Sequence, residues 1–368
     1  ILIGLVGSEM CIRDRNSHMN PVYGKEEVES VNEYINSGGW IMEHTKTREL
    51  ESMICNFTGA KYAHMVTSAT TGLLCASMVA KIQPGEKFAV SAYTQAATCN
   101  GAILMGGIPV IVDVDPVSFC IDFDRIPNDC RVIFVSAING RYPENVEARI
   151  KALREQGKIV IEDSAQALGS KTINDVHCGT IGDMGVFSFG APKIITTGQG
   201  GCIVTNDEDI SKEIHAIKNF GRTVSVGEVY NVMGSNFKFT DLQASFGIPQ
   251  MKKLPFIILH KKQLFRWYKK YLKNVAEFVQ TNLDYVTPTY PEILVSKRDE
   301  LAIELRQEGI GCRAVYDSLC NQPFHKKWKT QTPVADELGR RGLHLPAQFD
   351  LRESDVKKIC DIVKNHAA

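Results

Sequence analysis

Apolar residues recur at helical spacing through KEEVESVNEYINS, residues 25–37, and the run stops at Gly38-Gly39. A second helix is expected over 47–58. From there, short β-rich runs alternate with helical stretches: KYAHMVTS, a helix from Thr71, KFAVSAY, a helix from Ala96, PVIVDVD, RVIFVSA, a helix from Glu144, then KIVIED. Strands alternating with helices predict an α/β fold with a mostly parallel central sheet flanked by helices. In such sheets ligands bind beyond the carboxyl ends of the strands. GVFSF and GCIVTND read as two more strands, on either side of a lysine-containing segment.

The pattern changes after Leu254-Pro255. Residues 256–278 are expected as one long helix with basic residues on its outer side. A smaller α/β portion follows, built from EILVS, a helix over 298–308, GCRAVY and a final helix from Glu353. These breaks suggest a large domain over 19–250 and a small C-terminal domain over 251–368. Residues 1–18 look foreign to the rest: Asn16-Ser17-His18-Met19 resembles a cloning scar, and Met19 is a plausible true start.

A chain of 368 residues with 44% hydrophobic side chains can bury a large core. Its 42 basic and 42 acidic side chains cancel, which gives no general pull toward nucleic acid or anionic membrane. No apolar run approaches the roughly 20 residues that span a bilayer. The 11 cysteines are scattered without a CxxC pair, and the nine histidines are dispersed, so the expectation is reduced thiols in a cytoplasmic protein with no metal site.

Within FSFGAPKIITTGQGG (187–201) the single charge is Lys193, set between a strand and a glycine-rich loop. A solvated lysine is the bland reading. The chemical one is a covalent anchor for an aldehyde such as pyridoxal 5′-phosphate, which predicts companions: an acid for the pyridine nitrogen and donors for the phosphate. Asp163 ends the strand KIVIED, where a carboxylate can keep the ring nitrogen protonated; taken alone, it would more often be a helix N-cap for SAQALG. Ser68, Ala69 and Thr70 lie between a strand and a helix, so free N–H groups and hydroxyls converge there, for phosphate or simply for capping. Ser188 could add a hydroxyl. Gly198, Gly200 and Gly201 match no nucleotide-binding loop and read as backbone freedom.

EDSAQALGS, GDMGVFSFGAPKIITTGQGGCIVTND and GSNFKFTDLQASFGIPQMKKL resemble, in order, segments of the DegT/StrS-type nucleotide-sugar aminotransferases. The resemblance runs from about Tyr23 to the C-terminus. It implies the aspartate aminotransferase fold, fold type I, with pyridoxal 5′-phosphate as cofactor. By that resemblance Lys193 is the cofactor-bearing lysine and Asp163 the partner of the ring nitrogen. Gln166 approaches the ring's phenolic oxygen, and Ala69, Thr70 and Ser188 hold the phosphate. Asn236 reaches the phosphate from a second subunit, which implies a homodimer with shared active sites. Gln95 stands where the family commonly stacks an aromatic residue on the ring. Leu168, Gln199 and Lys238 replace a frequent histidine, glutamate and arginine, and SAINGRYP (136–143) replaces a histidine-containing loop.

The expected reaction is amino transfer, with glutamate as donor, to a nucleotide-linked keto-sugar, a 4-keto-6-deoxyhexose by the family's commonest choice. That chemistry belongs to amino-sugar and O-antigen polysaccharide biosynthesis. Arg222, Lys238 and Arg313 are candidates for the sugar diphosphate or the donor carboxylate. Two alternatives remain: a pyridoxal-phosphate-dependent sugar dehydratase, which has histidine in place of the lysine, and a cofactor-binding regulator without turnover.

Overall fold

The computed structural model describes residues 19, 21–223 and 228–367, so the expected foreign stretch 1–18 lies outside the described residues. Two helices open the fold, α1 (Lys25–Asn36) and α2 (Thr45–Thr58). The α/β alternation follows: β1 (Tyr62–Val66), α3 (Ala69–Val79), β2 (Lys87–Ser91), α4 (Ala97–Leu104), β3 (Ile108–Val112), β4 (Val132–Ser136), α5 (Val146–Glu155), β5 (Ile159–Asp163), β6 (Met184–Ser188) and β7 (Gly201–Thr205). These form one seven-stranded sheet in the order β1-β7-β6-β5-β4-β2-β3. The pairs β2–β3, β2–β4, β4–β5 and β5–β6 are parallel, and β7 runs antiparallel to both its neighbours. The sheet is mostly parallel, as the pattern predicts.

Alternation along the strands sends successive side chains to opposite faces. Val186 and Ile203 pack with Leu73 and Ala76 of α3 on one face. Phe187, Cys202 and Val204 pack on the other with Leu50 and Ile54 of α2. Both faces are covered, which is why the strands read as nearly continuous apolar runs.

The chain then runs through α6 (Glu208–Lys218) into α7 (Asp241–Tyr271). The long helix therefore starts 15 residues before the expected Phe256 and ends before the expected Phe278, which instead lies in strand β8 (Glu277–Phe278). Two prolines sit inside it. Pro249 has no N–H for the Ser245 carbonyl one turn back, and the Ser30 hydroxyl of α1 donates to that carbonyl at 2.7 Å instead. Asp241 joins the start of α7 to the start of α2 by accepting from the N–H groups of His44, Lys46 and Thr47.

The remaining elements are β9 (Glu292–Leu294), α8 (Arg298–Gln307), β10 (Arg313–Ala314), α9 (Pro333–Arg341), β11 (Gly342–His344) and α10 (Glu353–Ala367). Their three strands and β8 form a second, antiparallel sheet in the order β10-β11-β9-β8. Its core takes Leu264 and Tyr268 from the far half of α7, so that helix contributes to the packing of both sheets.

Candidate active site

Asp163 is the last residue of β5, in register with Ser136 of β4 and Val186 of β6. It is buried at the carboxyl edge of the sheet. Its Oδ2 accepts from the Thr98 hydroxyl at 2.5 Å and its Oδ1 from the Ala165 N–H at 3.1 Å. Thr98 belongs in turn to a hydroxyl chain, 2.7 Å from Thr94, which is 3.0 Å from Ser136. Burial raises the Asp163 carboxyl above its ordinary value, while the Thr98 hydroxyl, the Ala165 N–H and the Lys193 charge oppose the rise. No helix follows at SAQALG, so the bond to Ala165 closes a local turn rather than capping a helix. Glu162 faces the opposite way and accepts from the N–H groups of Gly179, Ile181 and Gly182. Of the two adjacent carboxylates, only Asp163 is turned to this site.

Lys193 lies in the turn between β6 and β7. Burial lowers the affinity of its amine for a proton; the Asp163 charge raises it and the Arg313 charge lowers it again. An amine depressed in this way is neutral more often than a surface lysine, and the neutral form is the nucleophile and the base. The turn is held by the Tyr290 hydroxyl, which donates to the Pro192 carbonyl at 3.0 Å.

Because β7 is antiparallel, its first residue lies at the edge where β1 and β6 end. Gly201 is in register with both Val66 and Ser188. A Cβ on Gly201 would stand 2.5 Å from the Ala69 nitrogen, so only glycine lets β7 pass the first turn of α3 this closely. Ser68, Ala69, Thr70 and Ser188 are thereby gathered around one helix N-terminus, where unpaired N–H groups and the helix dipole favour an anion. Ser68 is also the N-cap of α3, accepting from the Thr71 N–H at 3.1 Å.

Gln166 accepts from the Asn139 N–H at 2.8 Å and donates to the Tyr316 hydroxyl at 3.1 Å. Gln95 is exposed and its Oε1 accepts from the Ala97 N–H at the start of α4. A cavity of about 710 Å³ opens beside these residues, lined by Thr94, Gln95, Arg313, Tyr316, Phe324 and His325 among others. Lys193 is not part of its wall. Two of its wall residues are tied to the site: the Arg313 charge acts on the Lys193 amine, and the Tyr316 hydroxyl accepts from Gln166.

The other candidates lie apart from that cavity. Lys238 sits 4.1 Å above the Phe220 ring, and Arg222 covers Phe220 and Tyr230 while pairing with Glu228 at 3.0 Å. Asn236 is exposed on the same segment, which runs alongside the end of β1 through a bridge from Lys238 to Val66. Sequence reasoning missed Thr98, Asn139, Tyr290 and Tyr316. Tyr316 was within sight in GCRAVY, but reading that run as a strand hid that only Arg313–Ala314 pairs.

The residues present suit a phosphorylated pyridine aldehyde: a depressed amine, a buried carboxylate near it, and an anion cradle that a single Cβ would fill. Among the described residues no group of three or more His, Cys, Asp or Glu side chains could hold a metal ion, and no helix is long and apolar enough to cross a membrane.

The model of the DegT/DnrJ/EryC1/StrS aminotransferase family matches residues 21–364. GDP-perosamine synthase of Escherichia coli O157:H7 is 28% identical over 357 residues, covering 93% of this chain and 97% of its own length. The UDP-N-acetyl-3-dehydro-alpha-D-glucosamine 3-aminotransferase of Acidithiobacillus ferrooxidans is 26% identical over 369 residues, covering 95% and 96%. Among solved structures, the aminotransferase TlmJ from Streptoalloteichus hindustanus superposes with a TM-score of 0.89 at 24% identity, covering 95% of this chain and 98% of its own. The chain is an aminotransferase of fold type I that works with pyridoxal 5′-phosphate. The chain belongs to the DegT/DnrJ/EryC1/StrS aminotransferase family.

Proposed function

We propose that this enzyme moves an amino group from glutamate to the ketone of a nucleotide-linked keto-sugar, a 4-keto-6-deoxyhexose, in cytoplasmic amino-sugar biosynthesis for surface polysaccharide. The observation that carries the reading is the half-buried Lys193 paired electrostatically with the buried Asp163 at the carboxyl edge of the sheet, beside a cavity with Arg313 at its wall. When bound, pyridoxal phosphate supplies an electron sink and a temporary carrier for the amino group. Lys193 Nζ would hold the cofactor and, once displaced by the amine of the donor, would move a proton between the substrate carbon and the cofactor, off the donor carbon in one half of the reaction and onto the sugar carbon in the other. The Asp163 carboxylate, held by Thr98 and Ala165, keeps the ring nitrogen protonated.

Ser68, Ala69, Thr70 and Ser188 hold the phosphate, with Asn236 reaching in from a second subunit. Gln95 covers the ring and Gln166 donates to its phenolic oxygen. Arg313 receives the donor carboxylate or the sugar diphosphate, and Arg222 and Lys238 are the further cations for the diphosphate. The two enzyme relatives above differ in both nucleotide and sugar, so a panel of nucleotide-linked keto-sugars is the right test. With glutamate labelled at nitrogen, mass spectrometry should find the label in the sugar product. A nitrogen-free deoxygenated sugar would mean dehydration. Cofactor binding without label transfer to any sugar would mean a regulator.

A further inference from the structure

Asn139 follows β4 in a left-handed conformation, φ 52°, inside the loop SAINGRYP. It is fully buried and both polar atoms of its side-chain amide are hydrogen-bonded. Nδ2 donates to the Tyr290 carbonyl at 2.8 Å and to Glu292 Oε2 at 3.3 Å, and Oδ1 accepts from the Tyr290 N–H at 2.9 Å. Glu292 is itself fixed: its carboxylate accepts from Arg141 at 2.7 Å and from the Tyr93 hydroxyl at 2.6 Å. Asn139 thus clamps the turn after β4 to the segment leading into β9, and both ends of that clamp touch the active site.

One end is the Asn139 N–H, which bonds Gln166 Oε1 at 2.8 Å. A backbone N–H can only donate, so the oxygen of the Gln166 amide must face it and the NH2 group must face away, toward Tyr316 and the ring position. The reversed amide would oppose two donors and leave both unsatisfied in a buried place. The other end is Tyr290, whose hydroxyl holds the Pro192 carbonyl, one residue before Lys193.

We infer that Asn139 is a positioning residue: it fixes Gln166 as a hydrogen-bond donor toward the cofactor's phenolic oxygen and, through Tyr290, sets the turn that carries Lys193. The inference rests on the reading that Gln166 faces the cofactor. A donor at that oxygen stabilises its negative charge and so favours loss of the proton shared with the anchored nitrogen. The readout is therefore the pH midpoint of the holoenzyme's visible colour change, which a merely structural role would not move.

Gln166→Ala should raise that midpoint by about one unit, the scale of a lost hydrogen bond to a charged group. Asn139→Gly keeps the left-handed backbone but removes the clamp, freeing the Gln166 amide to turn; it should raise the midpoint in the same direction. The double variant should go no higher than Gln166→Ala alone, because the effect of Asn139 on this midpoint runs through Gln166, while its Tyr290 arm sets the position of the turn. Melting of each apoenzyme reports folding separately. If Asn139→Gly does not fold, Asn139→Asp serves in its place: it keeps the acceptor for the Tyr290 N–H and loses both donated bonds, and the same rise is expected. A wild-type midpoint in the folded Asn139 variant, with a raised one in Gln166→Ala, overturns the positioning role alone. An unmoved midpoint in Gln166→Ala overturns the placement of Gln166 and the inference with it.

Discussion

Asp163 and Lys193 carry opposite charges in a place where burial opposes both. Burial pushes the carboxyl up and the ammonium down, and each group partly restores the other. What separates them from an ordinary ion pair is the chain of hydroxyls behind Asp163, which supplies the acid with a donor of its own and leaves Lys193 free to lose its proton. Replacing Asp163 by asparagine keeps the shape and the Ala165 turn but removes the charge that would hold the ring nitrogen protonated. The expected result is a fold and a cofactor complex close to wild type, with kcat lower by about two to three orders of magnitude, as when one preorganised electrostatic partner is removed. Steady-state kinetics on the saturated variant measure this. Near-normal turnover would reduce Asp163 to a turn-former.

Two elements carry effects that no single residue conveys. The first is the start of β7 against α3. Gly201→Ala would drive a Cβ onto the Ala69 nitrogen and the Ser68 carbonyl, so β7 and α3 must part and the phosphate cradle opens. Cofactor affinity should fall at least about tenfold, the scale of one lost hydrogen bond to a charged group, as read by equilibrium titration of the apoenzyme. Unchanged affinity would place the phosphate elsewhere.

The second element is α7, where Lys261 is fully buried beside His260. Burial alone lowers its pKa to about 7, and its amine donates to the Ala347 carbonyl at 2.6 Å. Between pH about 7 and the ordinary lysine value of 10.5 the unfolded chain binds a proton that the folded chain does not, so this residue makes stability rise with pH across that window. Lys261→Met should flatten that slope, and the gap between melting temperatures at about pH 6.5 and about pH 9 should shrink. An equal gap in both proteins would mean that Lys261 does not titrate there.

The same helix shows where the sequence was legible. All seven strands of the main sheet announce themselves as apolar runs because both faces of the sheet are covered. The start of α7 was also signalled: Thr240 caps it by accepting from the Gln243 N–H at 3.2 Å, a Thr-x-x-Gln signature. The two prolines masked it, and what satisfies the carbonyl left free by Pro249, the Ser30 hydroxyl 215 residues from Ser245, is visible only once the chain is folded. The helix α6 carried a similar signal, Asp207 capping a run with Ile210, Ile214 and Ile217 on one face. In the candidate site, Lys193, Asp163 and the residues at the start of α3 could be singled out from the sequence because the proposed chemistry demands those residue types at strand ends. Thr98, Asn139 and Tyr316 could not, since threonine, asparagine and tyrosine in loops have many uses and only their partners distinguish them.

At the scale of the whole molecule, exposed apolar residues lie on the segment that carries Asn236 and on the segment bridged to its far end. Trp40, Ile41 and Met42 are 63, 62 and 49% exposed, Met233 is 82% exposed, and Met42 is bridged to Thr240. An exposed apolar patch beside a residue assigned to a partner's site fits a second copy of this chain. In the proposed isologous dimer each site would take Lys193 from one chain and Asn236 from the other. Lys193→Ala and Asn236→Ala homodimers should each be inactive or weak. Random remixing makes half the dimers mixed, each with one intact site of two, so about a quarter of wild-type activity should return. No recovery after verified subunit exchange would mean that Asn236 serves its own chain, whose β1 it already borders.

The most direct measurement is borohydride reduction of the yellow holoenzyme followed by peptide mapping. Borohydride makes the reversible carbon–nitrogen link between a lysine and the cofactor permanent, so the modified peptide names the anchor. One adduct on the peptide containing Lys193, absent in Lys193→Ala even though that variant still binds cofactor at the α3 cradle, is the expected result. An adduct on any other lysine, or none from a protein that holds its cofactor, would contradict the site.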